Sequence, residues 1–317
     1  MAARSEIDVV IPSWNGRDLT LACLEQLASQ TVAVRTIVVD NGSSDGTADA
    51  VRERFPAVEV VELATNRGFG PAVNVGVAHG DAPFVVVVNN DVLCPPQFIE
   101  RLVAPLRDDN SVGMVASVLV RPDGRIDGYG LEVDRTLAAF NRFEGLRLPP
   151  GSLDENGLLG PSGGAAAYRR SAYESAGGFD ENLFGYMEDV DLALRLRAAG
   201  WRAAGARRAV ATHSRAVTFG HRSSRQVSIA GFARAYMVRK YSLLSQGVGR
   251  AATVLAWEVA VVAGEFLLGN GPAAVRGRVR GWRARGDAPA TAVPWEVVDE
   301  KIGVLGAAVR RLRAVTT

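Results

Sequence analysis

Phe84-Val85-Val86-Val87-Val88-Asn89-Asn90-Asp91 is the stretch that decides the fold. A short apolar, β-branched run that ends in a carboxylate reads as a buried strand, and the tips of such strands are where open α/β sheets place their ligand chemistry. Working outward, Ile7 to Ile11, Thr36 to Val39 and Val58 to Leu63 are runs of the same kind. Stretches of helical period around Leu19 to Leu27 and Ala48 to Phe55 separate them. Near-continuous apolar strands alternating with helices predict an α/β fold whose central sheet is mostly parallel and covered on both faces. Polar and glycine residues follow three of the runs at once, as Trp14-Asn15-Gly16, Asp40-Asn41-Gly42 and Asn89-Asn90-Asp91, so one edge of the sheet is the candidate site.

Further along, Val115 to Val120 reads as a strand closed by the turn Pro122-Asp123-Gly124. Residues 128–160 are rich in Gly, Pro and charge without clear period, and predict a long, mobile connection over the site. Gly163-Gly164 opens a small-residue strand, Ala165 to Tyr168, that a ligand could approach closely. Asp189 to Ala199 predicts a helix stopped by Gly200. A helix-rich, basic tail begins near Ser228.

At 317 residues, 48% of them hydrophobic, the chain can bury a real core, which excludes wholesale disorder. The two cysteines, Cys23 and Cys94, form neither a metal-ligand spacing nor a disulfide framework, which fits a reducing cytosol. The apolar run Ile7 to Ile11 meets Pro12 too soon for a secretion signal. Net charge is only +2, but Lys and Arg crowd residues 200–286, where Glu258 and Glu265 alone oppose them. Without a nucleic-acid motif this basic tail is not read as a nucleic-acid binder. Ala251 to Leu268 is apolar enough to raise a membrane span, yet Glu258 and Glu265 would be costly at mid-bilayer. An interfacial helix is favoured, helped by Arg276, Arg278, Arg280, Arg283 and Arg285, with packing on the catalytic domain or on a second copy in a homo-oligomer as the alternative.

Four constellations carry chemistry. Asp40, at a strand tip before Asn41-Gly42-Ser43-Ser44-Asp45-Gly46-Thr47, could accept the imide N–H of a uracil or thymine; the turn and helix cap alone would explain Gly46 and Asp45 or Thr47. Thr65-Asn66-Arg67-Gly68-Phe69-Gly70 lacks the full dinucleotide fingerprint, so it reads as an ordinary loop or as a turn that lets a nucleotide lie against the backbone. Asp91 could hold Mg²⁺ or Mn²⁺, which prefer oxygen ligands and bridge phosphates, while Asn89 or Asn90 touches a sugar. His213 joins as a second ligand only because one is needed. Glu188-Asp189-Val190-Asp191 sits at a helix start, where the dipole stabilises acids. Three carboxylates exceed what capping needs, so one is a candidate general base.

Together these blocks resemble inverting family-2 glycosyltransferases of the GT-A fold, from Ile7 to about residue 221, and their wording resembles bacterial rhamnosyltransferase-type members. The resemblance implies that Asp40 pairs with the base and that Pro12, Trp14 and Asn15 lie beside the nucleotide. Asn66, Gly68, Phe69 and Asn74 would line the donor with Asn89 and Asn90, and Asp91 and His213 would bind the divalent cation. Asp189 would be the general base, with Gly163, Gly164 and Glu188 on the acceptor side. Asn89 departs from the family's strict Asp-x-Asp.

The expected division is a glycosyltransferase domain over residues 1–222 and a helical basic region over 223–317. The implied donor is dTDP-rhamnose, with a UDP-hexose or UDP-galactofuranose as alternative. The implied acceptor is a cell-surface or lipid-linked glycan, and the implied location is the inner face of the cytoplasmic membrane. From other classes, a silent nucleotide-sugar-binding scaffold and a nucleotidyltransferase compete; the latter lacks its glycine-rich basic phosphate loop.

Overall fold

The computed structural model describes residues 5–214, 223–284 and 292–298. It opens with alternating strands and helices: β1 (Ile7–Ser13), α1 (Arg17–Leu27), β2 (Arg35–Asp40), α2 (Thr47–Arg54), β3 (Glu59–Glu62), α3 (Phe69–His79) and β4 (Phe84–Val88). β5 (Val92–Leu93), α4 (Phe98–Asp108), β6 (Val112–Val120), β7 (Ile126–Tyr129), β8 (Leu131–Val133) and β9 (Ala139–Asn141) follow. Then come β10 (Ala165–Arg169), α5 (Arg170–Ser175), α6 (Glu188–Ala198), β11 (Arg202–His213), α7 (Ser224–Lys240), α8 (Val248–Leu267) and α9 (Gly271–Arg283).

The main sheet runs β3-β2-β1-β4-β10-β6-β11-β5, with β7 on the flank of β6. Its first four strands are parallel, and β11 is parallel to β6; β10 enters antiparallel between β4 and β6. Successive residues of one strand point to opposite faces. Accordingly Val10, Val85 and Val87 join a core shared with α3, α6 and α7, whereas Val9, Ile11, Val86 and Val88 join one shared with α1 and α4. Both faces are buried, so these strands carry no polar alternation. The parallel half brings Ser13 and Asp40 to one edge in register, with Val88, the end of β4, two positions short of them.

The segment 128–160 corrects an expectation. It is a folded unit, with β8 and β9 paired and Tyr129, Leu137, Leu153 and Leu159 fully buried. Polar residues that read as surface are buried with partners here. Asp134 accepts hydrogen bonds from the Thr136 and Ala138 amides, and Arg142 donates to the Asp154 and Asn156 carbonyls while lying over the Tyr129 and Phe143 rings. These partners offset part of the cost of burying them.

The tail helix α7 starts at Ser224, capped by Ser223, and its Tyr236, Met237 and Tyr241 enter the same core as α6. Among the described residues no helix is long and apolar enough to cross a membrane, which removes the span reading of residues 251–268. Glu258 faces inward, held by Arg234 of α7 and Arg278 of α9. Leu255, Val259, Phe266 and Leu267 remain exposed on α8. The expected boundary near residue 222, the end of the family resemblance near 221 and Arg285 all fall outside the described residues.

Candidate active site

The edge holding Ser13 and Asp40 is a mesh of short polar contacts. Asp40 is buried and accepts the Ser43 amide at 2.8 Å. Asn15, with φ +48°, accepts the Ser44 amide through its side chain, and its own amide donates to the Ser43 hydroxyl. Pro12 and Trp14 flank Ser13, and the Arg225 guanidinium lies 5.9 Å from the Trp14 ring centre. Asn41, unremarked in the sequence, is a hub: its amide reaches Asn66 and the Gly68 carbonyl and accepts from Arg67. Only glycine suits position 68, because φ is +98° and a Cβ would strike the Phe184 backbone. The loop from Asn66 to Phe69 is thereby fastened to the loop that leads into α6.

Two expected donor contacts point elsewhere. Asn74 accepts from the Tyr173 hydroxyl and the Phe179 amide and donates to the Phe179 carbonyl, so its side chain tethers α3 to α5 rather than lining the edge. Asn90 donates to the Ser13 and Thr20 hydroxyls beneath β1. Both side chains are half-buried and spend their N–H groups on the protein itself. Asn89 is fixed by its backbone, whose amide donates to the Gly164 carbonyl.

Asp91 and His213 meet, with Oδ1 and Nε2 3.3 Å apart. The other ring nitrogen, Nδ1, lies 2.7 Å from Asp127 Oδ2. Burial disfavours the charged imidazole, but hydrogen bonds to Asp127 and Asp91 outweigh it and push His213 up to about 9. Asp127 was not singled out from the sequence, where Arg125-Ile126-Asp127-Gly128 looks like any turn. Among the described residues no three His, Cys, Asp or Glu side chains form a ready cation cage. The pair still fits a divalent ion: one carboxylate and one imidazole converge, the imidazole is oriented by a second carboxylate, and Asp91 and His213 would hold the ion with ligands from outside the protein.

On the opposite flank, α6 begins after two consecutive left-handed residues, Tyr186 (φ +66°) and Met187 (φ +67°). Such backbone is costly without glycine and is held only where the surroundings impose it. It turns Glu188 and Asp189 towards Gly163 and Phe69. The Gly163 amide donates to Asp189 Oδ2 at 3.0 Å, and the Val190 amide holds Oδ1. Burial raises the Asp189 carboxyl above the usual range against those two bonds. Glu188 is more deeply buried; burial and then the Asp189 charge push it up to about 8. Asp191 is fully buried and paired with Arg195 and Lys240, so it is no base for a substrate.

Gly163 and Gly164 join the two flanks. A Cβ on Gly163 would sit 3.8 Å from Asp189 Oδ2, and one on Gly164 3.8 Å from the His213 ring. The candidate base and the candidate metal ligands therefore lie on either side of one diglycine.

A family model described as glycosyl transferase family 2 matches residues 8–177. An N-acetylglucosaminyl-diphospho-decaprenol L-rhamnosyltransferase of Mycobacterium tuberculosis is 33% identical over 207 residues, covering 57% of this chain and 66% of that protein. The O-antigen biosynthesis protein RfbC of Myxococcus xanthus is 28% identical over 210 residues, 62% of this chain and 16% of its own length. Among solved structures, a mannosyltransferase from Pyrobaculum calidifontis in complex with GDP-Man and Mn²⁺ superposes with a TM-score of 0.54 at 19% identity, over 99% of this chain and 81% of that one. TarS 1–349 of S. aureus gives 0.52 at 17% identity, over 78% and 67%. These two likenesses concern the fold.

Proposed function

The chain belongs to glycosyl transferase family 2, and from that premise we propose that it is an inverting glycosyltransferase that moves rhamnose from dTDP-rhamnose to a hydroxyl of a lipid-linked or cell-surface glycan. The observation that carries the reading is the diglycine: Gly163 binds Asp189 while Gly164 adjoins His213 and holds Asn89, so base and diphosphate ligands face one reacting centre. The rhamnosyl donor is supported by the similarity to the mycobacterial rhamnosyltransferase.

Asp40, Asn15 and the Asn66 loop bind the nucleotide in this reading. Asp91 and His213 hold the divalent cation, which when bound supplies positive charge to the departing diphosphate. Asp189 accepts the acceptor hydroxyl proton as that oxygen attacks the anomeric carbon from the face opposite the nucleotide. The C1–O bond to the nucleotide breaks in the same displacement, and no enzyme nucleophile is needed. Glu188 stays protonated near neutrality and borders the acceptor. The exposed apolar side chains of α8, with Val279 and Trp282 of α9 among arginines, support association with an anionic membrane surface on the cytoplasmic side.

The deciding experiment is Asp189→Asn, assayed for donor binding and for transfer. Binding should persist while turnover falls about 10²–10⁴-fold, the usual worth of general-base help. Undiminished turnover would remove Asp189 from the mechanism. A thermal-shift screen of nucleotide sugars with and without Mn²⁺ identifies the donor, since a ligand selective for the folded state raises its melting temperature.

A further inference from the structure

A cavity of about 450 Å³ opens between the amino-terminal half of α7, the face of α9 and the loop that leads into α6. Phe184, Ile229 and Phe232 form its apolar wall, and Arg225, Arg276 and Arg280 form its charged one. Close helix packing creates this arrangement. Gly277 rests against the Ser228 carbonyl, Gly281 against the Phe232 carbonyl and Gly231 against that of Ala274. Ser224 meets Asn270 where the two helices begin, and Arg239 meets Ala284 where they end, so α7 and α9 run in the same direction and their positive ends lie on one side. Arg276 and Arg280 each precede a seam glycine, which sets them one turn apart beside the seam and over the cavity. Among the described residues neither of these two guanidiniums has an ion-pair partner, whereas Arg278 between them is held by Glu258.

The cavity adjoins the reaction centre. Phe184 stands four residues before Glu188, its backbone lies against Gly68, and Gln226 of the first turn of α7 hydrogen-bonds Tyr186. Guanidiniums in a cluster suit phosphate oxygens, which they grip bidentately. An apolar wall beside them suits a hydrocarbon chain. We propose that this cavity is the acceptor's lipid subsite, with Arg276 and Arg280 gripping the diphosphate of an isoprenoid-linked acceptor and Phe184, Ile229 and Phe232 receiving the start of its chain. The assignment rests on the glycosyltransferase reading above and adds a site that the reading does not require.

Farnesyl diphosphate is a suitable probe, because it carries the diphosphate and an isoprenoid chain but no sugar. Its binding to the full chain is measured by calorimetry with saturating dTDP or UDP already bound. We expect wild-type protein to bind it and Arg276→Gln/Arg280→Gln to bind it about tenfold more weakly or worse, the scale of a lost charge-assisted contact. Nucleotide affinity should be the same in both, which also reports an intact fold. Displacement of farnesyl diphosphate by the nucleotide, or equal binding by wild type and variant, overturns the subsite. Vesicles of phosphatidylglycerol in phosphatidylcholine form the second arm: a variant that loses vesicle binding yet keeps farnesyl diphosphate assigns the arginines to lipid headgroups and also overturns it. Wild-type protein that binds no nucleotide sinks the parent reading instead.

Discussion

Glu188 and Asp189 are neighbours in sequence, and burial raises both carboxyls. Backbone N–H groups of Gly163 and Val190 offset part of that at Asp189, whereas at Glu188 the Asp189 charge adds to it. Glu188, pushed up to about 8, therefore holds its proton near pH 7. Glu188→Gln imitates that protonated state, so kcat/KM at pH 7 should stay within about threefold of wild type. The difference shows on the alkaline side. In wild type Glu188 ionises as pH rises through about 8 and sets a second charge beside the base; in the variant that inflection should vanish from the pH–rate profile. A variant dead at pH 7 would exchange the two roles. At this scale the sequence was only partly legible. It showed three acids at a helix start but not which was free, because that depends on Gly163 and Lys240, far away along the chain, and on which acid Arg195 reaches one turn on. The internal hydrogen bonds of Asn74 and Asn90 were hidden for the same reason: an amide held by Phe179 or Ser13 looks, in sequence, like an amide waiting for a ligand.

Elements were easier to read than residues. Phe84–Val88 is the strand expected, and β1, β2 and β3 shift by a residue or two; β1 and β4 are buried on both faces and leave unbroken apolar runs, while the edge strand β3 shows only Val60 and Val61 between exposed glutamates. Residues 128–160 failed that test, since their core is made by very short strands and by buried Asp134 and Arg142, a pattern without period. The seam of α7 and α9 was also hidden, its glycines scattered among arginines. Its geometry makes a specific forecast. A side chain at 281 would strike the Phe232 carbonyl, main chain that cannot rotate away. Gly281→Leu should therefore force the helices apart and destabilise the protein by about 1–3 kcal/mol, the usual cost of overpacking, with a lower urea midpoint as the readout. An unchanged midpoint would mean that the seam is looser than its carbonyl contacts imply.

On the scale of the whole molecule, one buried network ties the tail to α6, the helix that carries the proposed base Asp189. Lys240, near the end of α7, lies 2.7 Å from Asp180 and 2.6 Å from Asp191 of α6. Tyr236 donates to Asp180, and Tyr241 and Arg195 to Asp191. Two carboxylates thus share two cations, and removing one cation leaves a buried charge uncompensated. Lys240→Met should cost about 3–5 kcal/mol of stability. Acid titration supplies an independent check. Burial alone would raise the Asp180 carboxyl, but Lys240, Tyr236 and Asn182 bring it down to about 2. A folded-state value below the ordinary aspartate value means that the contribution is complete above about pH 4 and is lost as pH falls towards 2. Wild-type stability should decline across that window, and Lys240→Met should decline less, because its Asp180 lies closer to the unfolded value. Asp191 follows Asp189 on α6 by two residues, so the loosened helix should also lower kcat more than it changes donor affinity. If Lys240→Met melts at the wild-type temperature and keeps its acid sensitivity, the tail does not brace the base, and α6 holds Asp189 through Tyr186 and Met187 alone.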